Sequence, residues 1–150
     1  MVQFVKRLCL AALLLPLVGC ALTTRSAPPD TARADLAGRL AEAKQSQAAA
    51  LALWDRVIFG EAVSCQEAIA VPELITVPER ALTAHPGADA IQARLNAAIK
   101  TLRDSSDLWN IECSDERTAV PLDMARAGRA SALAASGPLT EAETLLAALP

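Results

Sequence analysis

The chain has 150 residues, of which 53% are hydrophobic, 21% are charged and 3% are aromatic, and it contains no tyrosine. The length fits one domain, and an Ala/Leu-rich composition without tyrosine argues against a β-sandwich or barrel and favours packed helices. The formal net charge of −3 gives no electrostatic basis for binding nucleic acid, so we expect no nucleic-acid partner.

Residues 1–19 have the pattern of an export signal. Lys6 and Arg7 form a basic start, and an apolar run follows from Leu8 to Val18. A helix that spans a bilayer takes roughly 20 residues, so this run of about 11 is too short for a permanent span. It fits the apolar region of a signal peptide that is removed after export.

The end of this run is the most specific motif in the chain. Leu17-Val18-Gly19-Cys20 resembles the lipobox of bacterial lipoproteins. The resemblance implies that the Cys20 thiol takes up a diacylglyceryl group, that the chain is cleaved between Gly19 and Cys20, and that the freed amine is then often acylated as well, with chains such as palmitate. Such a protein is held to a membrane through the lipid on Cys20 and needs no spanning helix. The alternative is an ordinary secretory signal that happens to contain a cysteine near its end.

The residue that follows Cys20 indicates in which membrane the lipid anchor would lie. Among lipoproteins of two-membrane cells, an Asp in this place commonly marks retention in the inner membrane, whereas this chain has Ala21. The resemblance therefore implies an anchor in the outer membrane, with the domain facing the periplasm. Removal of residues 1–19 would take away Lys6 and Arg7 and change the formal net charge from −3 to about −5.

Residues 20–30 follow as the lipidated cysteine and an extended tether. The stretch from Thr23 to Pro29 combines small polar residues with a Pro pair, which disfavours a helix. At roughly 3 Å per residue, the tether would hold the domain some 20–30 Å from the lipid surface. It serves either to reach a partner or as a generic stalk.

Residues 31–150 are predicted to form the folded domain. Apolar residues recur at three- and four-residue spacing over long Pro-free stretches, which is typical of amphipathic helices. Asp30 or Thr31 can cap the first helix and Gly60 can end it. We therefore expect an all-α, small up-and-down helical bundle. The predicted helices cover residues 31–59, 61–70, 88–113, 121–136 and 141–149, with a single turn at 79–83.

The C-terminal part carries two more helix signals. Gly137 and Pro138 are expected to stop the fourth helix, and Thr140 with Glu143 matches a capping box that would open the last one. The spacing of apolar and small residues from Ala130 to Leu146 resembles one tetratricopeptide-type hairpin. Only a single degenerate unit is present, which favours a corner of the bundle over a repeat protein.

Two cysteines remain beyond the proposed anchor. Cys65 and Cys113 lie 48 positions apart, and two thiols in an exported chain usually pair, so we predict that they form a disulfide. The only histidine, His85, has no potential metal ligand at helical spacing, which argues against a metal site and against a cysteine nucleophile. No cofactor is expected.

The remaining candidate functional residues are two tryptophans and a group of acidic residues. Trp54 and Trp109 could line a ligand groove, but anchoring the core of the bundle is the favoured interpretation. A group of carboxylates around the end of the long helix could serve acid–base chemistry, but a solvated charged loop is favoured. This group comprises Asp104, Asp107, Glu112, Asp115 and Glu116.

Function follows mainly by elimination. The sequence has no catalytic triad order, Gly-rich phosphate loop or metal-ligand spacing, so we expect a protein that is not an enzyme. The favoured function is a scaffold or assembly accessory that binds another envelope protein. Small lipidated helical proteins of this kind resemble secretion pilotins in architecture only. The alternative is a binder of a small apolar or lipid ligand in a cleft near Trp54 or Trp109.

Overall fold

The computed structural model describes residues 29–114 and 120–149. They form helices and connecting segments without any strand, which confirms the predicted all-α bundle. The predicted signal peptide, Gly19, Cys20 and the tether up to residue 28 lie outside the described residues. The helices are α1 (Pro29–Ile58), α2 (Glu79–Ala84), α3 (Ala88–Ser114), α4 (Leu122–Ala134) and α5 (Ser136–Ala147).

The limits of α1 follow from simple backbone chemistry. Pro29, which we assigned to the extended tether, is instead the first residue of α1, because a helix tolerates proline where no intrahelical N–H bond is made. At the other end, Gly60 adopts a φ of +80°, the left-handed conformation that commonly follows a helix. The predicted helix end at Gly60 is therefore confirmed.

Two apolar cores divide the bundle along its length. Leu36 and Leu40 of α1 pack with Leu95 of α3, while Trp54 of α1 packs with Trp109 of α3. The N-terminal part of α1 thus packs against the N-terminal part of α3, and the C-terminal parts of both helices pack together. These two helices therefore run in the same direction. We call the cluster of Leu36, Leu40, Val77, Ala81, Ile91, Leu95, Leu102 and Leu139 the N-terminal core, and that of Trp54, Ile69, Trp109, Ala125 and Ala132 the tryptophan core.

Helices α4 and α5 return along the α1–α3 pair. Ala125 and Ala132 of α4 belong to the tryptophan core, whereas Leu139 and Ala142 of α5 belong to the N-terminal core. The two helices therefore run one after the other, opposite to α1 and α3. They occupy different halves of the bundle, which differs from the side-by-side hairpin that the tetratricopeptide-like spacing suggested.

The break between α4 and α5 lies earlier than predicted. Gly137 and Pro138 do not stop α4; they lie in the first turn of α5, where the missing N–H of proline is tolerated. The capping-box prediction is wrong for the same reason, since Thr140 is inside α5 and its carbonyl accepts a bond from Thr144 Oγ1. The Gln47 side chain stabilises the junction by donating to Ala132 O at 3.0 Å and Ser136 Oγ at 2.7 Å.

The predicted helix at residues 61–70 is absent, and this is the largest correction. Residues 61–78 form an irregular segment, which we call the strap, that returns the chain from the end of α1 to the start of α2. Of the three residues that suggested a helix, Ala62 and Cys65 are exposed and only Ile69 is buried. A short helix gains little stability without an apolar face to bury, so the strap takes other bonds instead.

Side chains of α1 and α3 satisfy the polar backbone groups of the strap. Trp109 Nε1 donates to Glu67 O at 2.6 Å, and Ser106 Oγ donates to Ile69 O at 3.1 Å. Ser46 Oγ of α1 donates to Ala70 O. Further along the strap, the Asn96 amide accepts from Ile75 N at 2.8 Å and donates to Ile75 O at 2.9 Å. These bonds replace the intrahelical ladder and fix the strap along the two long helices.

Replacing Asn96 by Leu is expected to lower the free energy of unfolding by about 1–3 kcal/mol, because both backbone groups of Ile75 lose their partner. Urea unfolding measures this loss, and amide exchange at Ile75 should quicken. Asn110→Leu is the matched control, since Asn110 is an exposed residue of the same helix. Equal effects of the two substitutions would contradict the assigned role of Asn96.

Candidate functional site

An open groove of about 820 Å³ lies between the first half of α1, the end of the strap and α2. Ala34 and Gly38 line its α1 wall, Leu74 and Val77 line the strap side, and Ala84 lies at the end of α2. The groove thus has two long walls, one formed by α1 and the other by the strap and α2. These walls arise because the strap and α2 cross the N-terminal half of α1 without covering it. This arrangement makes the groove the candidate functional site.

The floor of the groove is the outer side of the N-terminal core. Leu36, Val77 and Ala81 line the groove and are buried, while Leu74 at its edge is 43% exposed. A floor of aliphatic side chains offers apolar surface to an incoming group. The groove can therefore bury part of an apolar side chain, a helix face or an alkyl chain.

The walls of the groove carry charges of both signs. Arg39 and Glu42 of α1 form an ion pair with Nη1 and Oε2 2.9 Å apart. Asp35 on the same wall and Arg80 on the α2 wall form no ion pair within the described part of the chain. An acidic and a basic group thus remain available on opposite sides of the groove.

The two helical glycines Gly38 and Gly128 have different surroundings. A Cβ built on Gly128 would lie 2.3 Å from carbons of the Trp54 ring, so the packing of the tryptophan core requires glycine there. A Cβ built on Gly38 meets nothing within 4 Å. Glycine in a helix interior costs about 1 kcal/mol relative to alanine. Nothing in the fold itself requires this cost at Gly38.

The predicted disulfide is present. Cys65 of the strap and Cys113 near the end of α3 are bonded, with their Cα atoms 5.3 Å apart. The bond fastens the beginning of the strap to α3, at the opposite end of the bundle from the groove. His85, the residue considered for metal or base chemistry, is buried at the end of α2, away from both cysteines.

Next to the disulfide, an arginine fixes a strap carboxylate. Arg56 Nη1 and Nη2 donate to the two carboxylate oxygens of Glu67, at 2.6 and 3.2 Å. These bonds hold the pKa of Glu67 below its ordinary value, with the charge of Arg56 adding to the effect. The bond to Glu67 and a second one to Glu61 raise the pKa of Arg56.

The pH dependence of this pair has a definite sign. Because folding lowers the pKa of Glu67, its contribution to stability is fully present above the ordinary glutamate value of about 4.3 and is lost as pH falls through the lowered pKa. Glu67→Gln is therefore expected to be less stable than the parent at neutral pH, with the difference disappearing in acid. Urea unfolding at a series of pH values measures it. A difference that persists unchanged into strong acid would contradict the assignment.

Trp54 and Trp109 lie in the core and not in the groove. Both side chains are fully buried, with ring centroids 5.3 Å apart in an edge-to-face arrangement. Trp54 Nε1 donates to Ser105 Oγ at 2.8 Å, and Ser105 Oγ donates to Gly128 O at 2.9 Å. The groove, whose lining includes neither tryptophan, lies at the other end of the bundle from the cleft that the ligand-binding alternative predicts.

The acidic group at the end of α3 does not form one solvated surface. Asp104 and Asp107 are exposed, as expected for a charged face. Glu112 is only 4% exposed, which differs from the predicted solvated loop. Asp115 and Glu116 lie outside the described residues. Over the described ranges, no three His, Cys, Asp or Glu side chains are grouped so that they could hold a metal ion.

No protein-family model, curated protein or solved structure matches this chain. None of the helices that the described residues form combines the length and the hydropathy needed to cross a bilayer. The groove is the part of the site that sequence reasoning missed. The signal that could have indicated it is Gly38, in the middle of an otherwise strong helix pattern.

Proposed function

We propose that the protein is a lipid-anchored envelope protein, held in the outer membrane through Cys20, whose non-catalytic helical domain binds another envelope protein in the periplasm. The lipobox-like Leu17-Val18-Gly19-Cys20 supports the anchor, and Ala21 supports the outer membrane. The role is that of a scaffold or assembly accessory.

The observation that carries this proposal is where the tether meets the domain. Pro29 begins α1, and Thr31 and Ala32 already line the groove. The nine residues from Cys20 to Pro28 extend at most about 32 Å. An anchored domain would therefore keep its groove within reach of the membrane, while the disulfide end lies at the other end of α1, a helix about 45 Å long. A binding surface next to the anchor suits a partner that also lies at the membrane.

Cys20→Ser tests the anchor. The variant should leave the membrane fraction and keep the thermal unfolding midpoint of the parent, because the proposed anchor precedes the described helices. Cys9→Ser is the matched control, since Cys9 lies in the segment that cleavage would remove. Membrane association of the Cys20→Ser protein, or equal release of both variants, would overturn the proposal.

Crosslinking in intact cells tests the protein partner. An amine-reactive reagent should join the protein to one other envelope protein through exposed lysines such as Lys100. Recovery of uncrosslinked protein alone, together with a bound apolar molecule in native mass spectra, would overturn protein binding.

That second outcome would support the alternative function, binding of a small apolar or lipid ligand. The aliphatic floor formed by Leu36, Val77 and Ala81 favours this alternative. The charges on both walls favour a protein.

A further inference from the structure

The groove is open at Gly38 because glycine has no side chain to fill it. Gly38 lies in the middle of the α1 wall, and a side chain there would project into empty space. Alanine at this position would give a more stable helix, and its Cβ would meet no other described atom within 4 Å. An occupant whose backbone must approach α1 closely explains the glycine, because small residues let two helices pack at short interaxial distance.

The dimensions of the groove fit a helix. Its α1 wall extends from Thr31 to Glu42, which at 1.5 Å per residue is about 17 Å, or three helical turns. The apolar floor would receive one helix face, and the open side would leave the opposite face in water. Such a helix meets Asp35 on one side and Arg80 on the other.

We propose that the groove binds an amphipathic helix of the partner protein, one that carries a basic residue toward Asp35 and an acidic residue toward Arg80. This inference rests on the proposed protein-binding function and names its site and chemistry. The helix lies against Gly38, with its apolar residues at i, i+3, i+4 and i+7 on the floor.

The charges of the groove and the composition of the tether favour a partner helix over two other occupants, the tether of the same chain and an alkyl chain. The tether of the same chain offers Leu22 as its only large apolar residue, followed by the polar run from Thr23 to Ser26. An alkyl chain would cover the floor but would form no ion pair with the exposed Asp35 and Arg80. An amphipathic helix that carries both charges would bury the apolar floor and also form ion pairs with Asp35 and Arg80.

Photocrosslinking in the host tests the site with the full-length, anchored protein. The photoreactive residue p-benzoylphenylalanine replaces Ala84, an exposed residue that lines the groove, and in the control it replaces Ala127, an exposed residue of α4. The expected product is an adduct with one protein from position 84 only. Its crosslinked peptide should carry the stated apolar spacing with one basic and one acidic flank.

Gly38→Leu then fills the groove. The adduct at position 84 is expected to fall about tenfold, because overpacking an interface is unfavourable. The thermal unfolding midpoint should rise, so misfolding cannot explain the loss. Ala48→Leu is the matched control, since Ala48 is an exposed residue of the same helix that does not line the groove, and it should leave the adduct unchanged. Asp35→Lys combined with Arg80→Glu should also reduce the adduct.

The outcomes separate this inference from the proposed function. A protein adduct that survives Gly38→Leu, or that forms equally at position 127, overturns the groove as the site while protein binding stands. An adduct with residues 20–28 of the same chain, or with lipid, overturns the partner helix. Absence of any protein adduct from both positions and from amine crosslinking overturns the proposed function itself.

Discussion

Gly128→Ala is expected to lower the free energy of unfolding by about 1–3 kcal/mol, whereas the same substitution in a Trp54→Ala background should raise it by up to about 1 kcal/mol. The new methyl group in the parent would overlap the Trp54 ring, which lies 2.3 Å from the built Cβ. Without the indole, the overlap disappears and only the gain in helix propensity remains. Urea unfolding of all four proteins in the double-mutant cycle measures this change of sign.

Trp54→Ala alone should cost about 3–5 kcal/mol, because it opens a cavity in the tryptophan core. The loss of the bond from Trp54 Nε1 to Ser105 is part of that cost. Gly38→Ala is the matched control in an exposed helix position and should be stabilising. If Gly128→Ala were destabilising by the same amount with and without Trp54, the packing against the indole would not be the reason for the glycine.

Removing the disulfide is expected to have a similarly large effect. A cross-link between residues 48 positions apart stabilises by about 4 kcal/mol in the chain-entropy model. The double variant Cys65→Ser with Cys113→Ser should therefore unfold at clearly lower urea concentration. Amide exchange should quicken most in the first part of the strap, since Cys113 holds it to α3.

The reduced parent protein is the control for this variant. In the presence of a thiol reductant the parent should unfold like the double serine variant, and the reductant should not affect the variant. An unchanged midpoint after reduction would show that the strap is held by Glu67, Ser46 and Asn96 without help from the disulfide.

The sequence predicts the two long helices, α1 and α3, well because their signals are local. Helix α1 was recognisable from apolar residues at three- and four-residue spacing and from Gly60 after its end. The disulfide is predictable from the number of cysteines in a chain with a predicted export signal. The break at Ala135 was misplaced because Gly137 and Pro138 are compatible with both the end of one helix and the first turn of the next.

The strap could not be predicted because its partners are distant in sequence. Asn96 and Ser106 look like ordinary polar helix residues, and nothing local indicates that they bond the backbone at Ile75 and Ile69. For this reason, the helical spacing of Ala62, Cys65 and Ile69 predicts a helix that does not form. The groove depends on the path of the strap and was therefore hidden as well, apart from the unexplained Gly38.

Intact-mass spectrometry of the protein purified from membranes of its own host tests whether the helical domain is held to a membrane through Cys20. We expect a chain that begins at Cys20, carries the added mass of acyl chains on that residue, and contains a disulfide between Cys65 and Cys113. A chain that retains residues 1–19, or one that carries an unmodified Cys20 thiol, would contradict it.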